Sequence, residues 1–294
     1  MKVRIGISLG PAATPQGLAE GVDLLEAAGI DSLWLSEVVY GDIVEPFTGM
    51  TYALARTSRL KVGTGVAVLP GRHPVLVAKQ LTSLAALAPG RVLPVFGLRP
   101  ARRPEVAAFP IDGSRAAIFD ESLELLRLLL AQPEVSFSGQ FFSVETASVG
   151  PLPAKPLDIW LGGSAPAGLR RVGRFGDGWL GSFLTPAEAG SAREQIQAAA
   201  SEAGREVDPE HFGISLAVGA ITPEVARAIE RRRPGADPAT LSPGTWAEAR
   251  RMIEAHVAAG LSKFVVRPSI PSFSSGSLTR FVDEFVAEMT PLQT

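Results

Sequence analysis

The chain has 294 residues, 46% of them hydrophobic, a mean hydropathy of +0.20, and 28 Lys plus Arg against 30 Asp plus Glu. A chain of this length buries about 75% of its unfolded surface, while a net charge of −2 supplies no global field to gather nucleic acid or anionic lipid. With no cysteine, disulfides, thiolate nucleophiles and Cys-ligated zinc are excluded, and a reducing compartment fits.

Met1 to Leu9 alternates polar with apolar residues and lacks the unbroken apolar stretch of an export signal, so it reads as a first strand. No later apolar run approaches the ~20 residues needed to cross a bilayer, and the expected location is the cytoplasm. Strands are expected near residues 3–9, 32–36, 61–66, 92–96, 158–162, 178–181, 213–218 and 264–267. Helical patterns near 15–28, 74–88, 115–131, 165–175, 186–203, 245–259 and 277–289 lie between or after them. In the clearest helix Phe119, Leu123, Leu126 and Leu130 form one apolar stripe, with Asp120, Glu124 and Arg127 turned away. Thr14-Pro15, His73-Pro74 and Thr185-Pro186 mark helix starts, where the missing proline amide costs nothing.

Eight strands alternating with helices imply an α/β fold, a (β/α)8 TIM barrel in a single domain over 1–294. A barrel of this kind needs ~250 residues, so two insertions are expected. One is 133–157, read as a hairpin turning near Gly139 and then a proline-rich run; the other is 228–244, an excursion that could act as a lid. An open dinucleotide-binding sheet is disfavoured, because Gly6 to Pro11 does not supply G-x-G-x-x-G and Gly63-Thr64-Gly65 meets valine at position 68. Arg231, Arg232 and Arg233 end a helical pattern just before Pro234-Gly235 and read as a solvated cap that complements the helix dipole.

The most telling stretch is Ile159-Trp160-Leu161-Gly162-Gly163-Ser164, followed one helix later by Gly176-Asp177-Gly178-Trp179. A strand that ends in paired glycines and opens into a helix leaves bare amides, which is how phosphate is seated. The plain alternative is a strand-to-helix turn with a serine cap, and Trp179 reads equally well as core.

Taken in order, Asp31 to Glu37, Leu60 to Val66, Arg72-His73-Pro74 with Ala78-Lys79-Gln80, Gly90-Arg91-Val92, Glu134 to Phe142, Ile159 to Ser164, Arg170-Arg171, Phe175 to Trp179, Gly244-Thr245 and Lys263 to Pro268 resemble the bacterial luciferase-like flavin and deazaflavin oxidoreductases. The resemblance spans nearly the whole chain and rests on the order of the segments. It implies a (β/α)8 barrel with a large insertion, a tricyclic cofactor ring at the C-terminal mouth, and a phosphate site after the fifth and sixth strands. The cofactor would be the deazaflavin coenzyme F420, with FMN the alternative, and the resemblance suggests a homodimer.

On that resemblance the cofactor-binding candidates are Ser36, Glu37, Gly65, Val66, Gly162, Gly163, Ser164, Gly178, Trp179 and Arg267. Gly65-Val66 is where relatives carry a cis peptide. Many members place a histidine after the second strand as general acid or base, but position 38 is valine, which leaves Glu37 as the catalytic candidate. Glu37 could equally be a strand-end acid salt-bridged to a neighbouring loop. Asp42 and Pro100 stand where the sugar-phosphate dehydrogenase branch carries tryptophan and glutamate, which effectively excludes that substrate class. Asp42, Glu45 and Arg99 are substrate-pocket candidates, and Arg267 is read either as an oxyanion contact or as a rim salt bridge. His73 reads as a structural hydrogen-bonder, and His211 and His256 lack metal-like partners, so no metal is expected.

The resulting expectation is hydride transfer between F420 and a small organic substrate. An FMN-dependent monooxygenase, a non-catalytic cofactor-binding relative and a phosphosugar barrel without redox chemistry are the alternatives.

Overall fold

A computed structural model describes residues 1–269 and 275–294. The strands are β1 (Arg4–Ser8), β2 (Ser32–Leu35), β3 (Lys61–Thr64, resumed at Ala67–Val68), β4 (Val92–Leu93, resumed at Val95–Gly97), β5 (Trp160–Gly162), β6 (Gly178–Ser182), β7 (Phe212–Val218) and β8 (Lys263–Pro268). All pair in parallel. The two pieces of β3 meet the two pieces of β4, β4 meets β5, and the series runs on through β8 back to β1, so the ring closes.

The helices are α1 (Pro15–Ala27), α2 (Pro46–Arg56), α3 (Pro74–Leu87), α4 (Arg115–Ala131), α5 (Pro166–Phe175), α6 (Pro186–Glu202), α7 (Pro223–Arg232), α8 (Trp246–Ala258) and α9 (Ser275–Met289). Their starts are chemical. The Thr14 hydroxyl accepts the Gly17 amide, and Thr185 with Glu188 and Thr245 with Glu248 form reciprocal capping boxes. On α4 the stripe Phe119, Leu123, Leu126 and Leu130 is buried against the barrel.

Two helices depart from the sequence expectation. α2 lies where the apolar pattern shows no helix, yet Glu45 caps it by accepting the Thr48 amide at 2.8 Å. α7 occupies part of the expected 228–244 excursion, which therefore begins as a helix capped by Thr222 and continues through a short turn at Pro238–Thr240. Within 133–157 the antiparallel hairpin pairs Val135–Ser138 with Ser143–Ala147.

The N-terminal end of the barrel is closed by charge pairs. Lys263 is buried and reaches both the Asp31 carboxylate and the Ser32 hydroxyl (3.0 Å), while Lys61 holds the other Asp31 oxygen at 2.9 Å. Burial alone would raise the Asp31 pKa, but Lys263 and Lys61 overturn this and hold it below the ordinary carboxylate range. Burial pulls the Lys263 pKa the other way, downward, against Asp31. At the same end Asp177 takes Arg127, Arg205 and the Ile159 amide, tying α4 and the α6–β7 loop to the starts of β5 and β6. Glu26 gathers the amides of Ser58, Arg59 and Leu60 in the loop before β3. In the lumen, Trp34, Val95, Leu180 and Val265 pack with Trp160. Below Trp34 lies a hollow of about 580 Å³ that reaches Lys61, Lys263 and His211.

Candidate functional site

At the opposite, C-terminal end a cavity of about 610 Å³ opens, and every barrel strand or the turn after it contributes to its wall. This is the end where active sites of such barrels lie. Its middle is built around one bulge. The Gly65–Val66 peptide is cis; the Ser36 hydroxyl donates to the Gly65 carbonyl at 3.2 Å and the Glu37 amide to the Val66 carbonyl at 3.3 Å. The Val66 side chain fills the gap between β4 and β5. A methyl group built on Gly97 or on Gly162 would come within 2.8 Å of it. Gly162 is therefore a glycine because Val66 packs there.

The Glu37 carboxylate is buried, takes Arg72 Nη2 at 2.5 Å and Nη1 at 3.1 Å, and accepts the Val68 amide at 2.7 Å. The Arg72 guanidinium is itself held over the Phe109 ring at 5.0 Å. Both oxygens are engaged by Arg72 or the Val68 amide, although Glu37 still lines the cavity. It joins the ends of β2 and β3, which is the salt-bridge alternative.

The glycine turn after β5 also differs in detail. Gly163 sits at φ +111° with open space where a side chain would be, and the helix begins not at Ser164 but one residue later: Ala165 is the N-cap of α5 and supplies no side-chain hydrogen bond. The amides of its first turn, Pro166 excepted, are left to solvent or ligand. Ser164 is exposed and does not line the cavity. Gly178 and Trp179 do not reach the mouth either, because β6 runs C-terminal from Gly178 to Ser182 and its rim is Gly181, Ser182 and Phe183. Gly178 is a glycine because the Trp160 ring lies against it, within 2.5 Å of an added carbon. Trp179 is fully buried and donates its indole N–H to the Gly163 carbonyl at 2.7 Å, so it props the turn from behind. Asp177, the motif's acid, belongs to the other end of the barrel.

On the far side, Ser182, Ser215 and Arg267 line both the mouth and an adjoining pocket of about 260 Å³ under α7. Burial first, then repulsion from Arg232, lowers the Arg267 pKa from its ordinary value. Among the described residues Arg267 has no acidic partner, which removes the rim salt-bridge reading. Phe183, at φ +56°, stands between the two spaces with the Arg232 guanidinium 5.7 Å above its ring. Arg231 and Arg232 lie exposed in the last turn of α7, as a solvated cap, and Arg232 also lines the mouth, while Arg233 pairs with Glu188 at 2.6 Å. A helix end returning over a barrel rim was the signal available in the sequence. Of the three loop candidates, Arg99 lines the mouth; Glu45 is the α2 cap, and Asp42 is exposed outside it. The wall here is stiffened by buried Glu105, which accepts the Val39 and Tyr40 amides at 3.1 Å each. His73 accepts the Val75 amide as the α3 cap and packs edge-on against Phe142.

The mouth is thus walled by glycines, carries Arg99, Arg232 and Arg267, and holds one carboxylate that Arg72 already neutralises. Such a wall suits a flat, polyanionic ligand.

A family model described as luciferase-like monooxygenase matches residues 2–251. The chain is 29% identical over 175 residues to the F420-dependent glucose-6-phosphate dehydrogenase of Kineococcus radiotolerans, covering 56% of this chain and 52% of that protein. It is 30% identical over 200 residues to the F420-dependent hydroxymycolic acid dehydrogenase of Mycobacterium tuberculosis, covering 58% and 55%. The match spans about half the length of these relatives. Among solved structures, an F420-dependent secondary alcohol dehydrogenase in complex with an F420-acetone adduct superposes with a TM-score of 0.81 over 100% of both chains at 19% identity. The oxygenating constituent of 3,6-diketocamphane monooxygenase of Pseudomonas putida, in complex with FMN, does so at 0.77 over 100% and 99% at 18% identity. At these identities the likeness shows the barrel fold.

Proposed function

The chain belongs to the luciferase-like monooxygenase family, and on that premise we propose that it is an oxidoreductase moving a hydride between coenzyme F420 and a small organic substrate. The observation that carries this reading is the glycine-walled mouth with unpaired cations and no free carboxylate. The choice of F420 is supported by the similarity to the F420-dependent dehydrogenases named above. When bound, the deazaflavin supplies a ring that accepts or releases hydride, and the protein supplies position and a shaped, dry site.

In this reading Gly163 and the uncapped first turn of α5 hold the cofactor's phosphate. Gly65, Val66 and Gly162 present backbone and one small side chain to the ring, and the Ser36 hydroxyl and Glu37 amide fix the bulge from behind. With Glu37 tied to Arg72 and valine at 38, a proton at a substrate oxygen comes from a hydroxyl, Ser36, Ser182 or Ser215, or from water. Asp42 and Pro100 argue against a sugar phosphate as substrate even though a relative is named for one.

Paired binding titrations of F420 and FMN test the proposal. Micromolar F420 binding with weaker FMN binding is expected; FMN binding with oxygen uptake by its reduced form would replace it with the monooxygenase reading, and binding of neither would end it. The homodimer suggested by the resemblance is tested by sedimentation velocity, and the cytoplasmic location by fractionation.

A further inference from the structure

The pocket under α7 is not needed to hold a cofactor at the Gly163 turn, since β7 and β8 rather than β5 frame it. We propose that it is a substrate subsite for a compact monocarboxylate, whose apolar body lies against α7 and whose carboxylate meets Arg267. The inference rests on the oxidoreductase reading for the word substrate, but the binding it describes does not depend on a cofactor.

Three features carry it. The α7 side is apolar and small-chained, from Val225, Ala228 and Ile229 with Leu241 opposite. A volume of about 260 Å³ far exceeds the ~10–15 Å³ that one water occupies on the same measure, which leaves room for a small organic acid. At the inner end, where the pocket opens on the mouth, stands a guanidinium that has no acidic partner among the described residues, flanked by the Ser182 and Ser215 side chains. Arginine presents a planar fork that fits a carboxylate with two parallel hydrogen bonds. A partly buried cation without a counterion is costly, and a ligand carboxylate relieves that cost most where the cation is already disfavoured, as burial and Arg232 make it here. An inorganic dianion would leave the apolar wall uncovered. Glu224, on the pocket's outer edge, is paired with Arg227 at 2.9 Å and so does not compete for Arg267.

Calorimetric titration of the full chain with hexanoate, hexanamide and inorganic phosphate, repeated with saturating F420 or FMN, tests this. Hexanoate should bind at least tenfold more tightly than hexanamide or phosphate. Ala228→Phe, which fills the pocket from α7, should weaken hexanoate at least tenfold while leaving the F420 and FMN titrations unchanged; Ala228→Leu should give a smaller loss in the same direction if the larger ring disturbs folding. Arg267→Gln should erase the preference for hexanoate over hexanamide. Equal binding of hexanoate and hexanamide, tighter binding of phosphate, or undiminished hexanoate binding by both Ala228 variants would overturn the proposal. A loss of cofactor rather than hexanoate affinity in the Ala228 variants would also overturn it, by making the pocket part of the cofactor site. Failure of both cofactor titrations with hexanoate binding intact would instead break the oxidoreductase reading and leave the carboxylate site standing.

Discussion

The two ends of one barrel treat charge in opposite ways. At the N-terminal end Lys61 and Lys263 share Asp31, Arg127 and Arg205 share Asp177, and Glu26 is saturated by backbone amides. At the C-terminal end Arg267 has no counterion among the described residues and the first turn of α5 has no cap. Closed electrostatics at one end serve stability, and open electrostatics at the other leave room for a ligand to complete them. Substitutions at the first end should therefore move stability alone, and those at the second should move binding, sometimes against stability.

The largest effect belongs to Asp31→Ala, which strands buried Lys263. Breaking a buried pair from one side costs ~3–5 kcal/mol, so urea unfolding should show a loss of that order; a loss below about 1 kcal/mol would mean the pair is not holding the closed end. Because Asp31 is held below its ordinary pKa, the stability it supplies is present above the unfolded carboxylate value and disappears as pH falls through the folded one. Next is Glu37→Gln. It removes a charge-assisted pair worth about 1.5–3 kcal/mol, yet turnover should keep its pH profile, and disappearance of an ionisation from that profile would restore Glu37 as the proton carrier.

Gly162→Ala drives a methyl group to within 2.8 Å of Val66. Overpacking of this kind costs ~1–3 kcal/mol, and cofactor affinity should fall about tenfold, since each 1.4 kcal/mol is a factor of ten. Pairing it with Val66→Ala should recover most of the loss, and additive losses would show that the glycine serves the ligand and not the valine.

Ala165→Asp separates the two ends most sharply. A carboxylate cap should stabilise α5 by about 1 kcal/mol while, on the proposed reading, weakening cofactor binding by occupying the amides of its first turn. Gains in both quantities would remove the anion seat from α5. The smallest effect is at Glu26, where partial burial opposes ionisation but the amides of Ser58, Leu60 and Arg59 and the Ser58 hydroxyl lower its pKa to about 2 from 4.5. Its contribution, under about 1 kcal/mol for so exposed a group, is fully present above pH 4.5 and fades as pH falls toward 2. Glu26→Gln should show no such fade in thermal unfolding across that window.

Much of the barrel was legible because a strand buried on both faces writes a dense apolar run, and Thr-Pro and His-Pro pairs mark the starts of helices between strands. α2 escaped because Thr48, Gly49 and Thr51 dilute its pattern and its cap is a glutamate. α7 was legible at its C-terminal end, in the arginine run before Pro234, while its Thr222-Pro223 start went unused. The site was less legible for a geometric reason. A run such as Gly178 to Ser182 has two ends, and only the ring's direction says that Ser182 faces the mouth while Asp177 faces the opposite pole. The pairing of Glu37 with Arg72 was invisible because its partner lies 35 residues away, a distance over which residue spacing carries no information. The two roles open to Arg267 stay balanced in the sequence for the same reason, since the lack of a partner is visible only in three dimensions.

Val66, wedged between Gly97 and Gly162, also sets an order on how this mouth can change through descent. A lineage cannot enlarge either glycine first without losing the bulge, whereas trimming the valine opens both neighbouring positions at once. Remodelling of the floor of this mouth is thus a one-way gate at position 66, passable in two steps from one side and obstructed from the other.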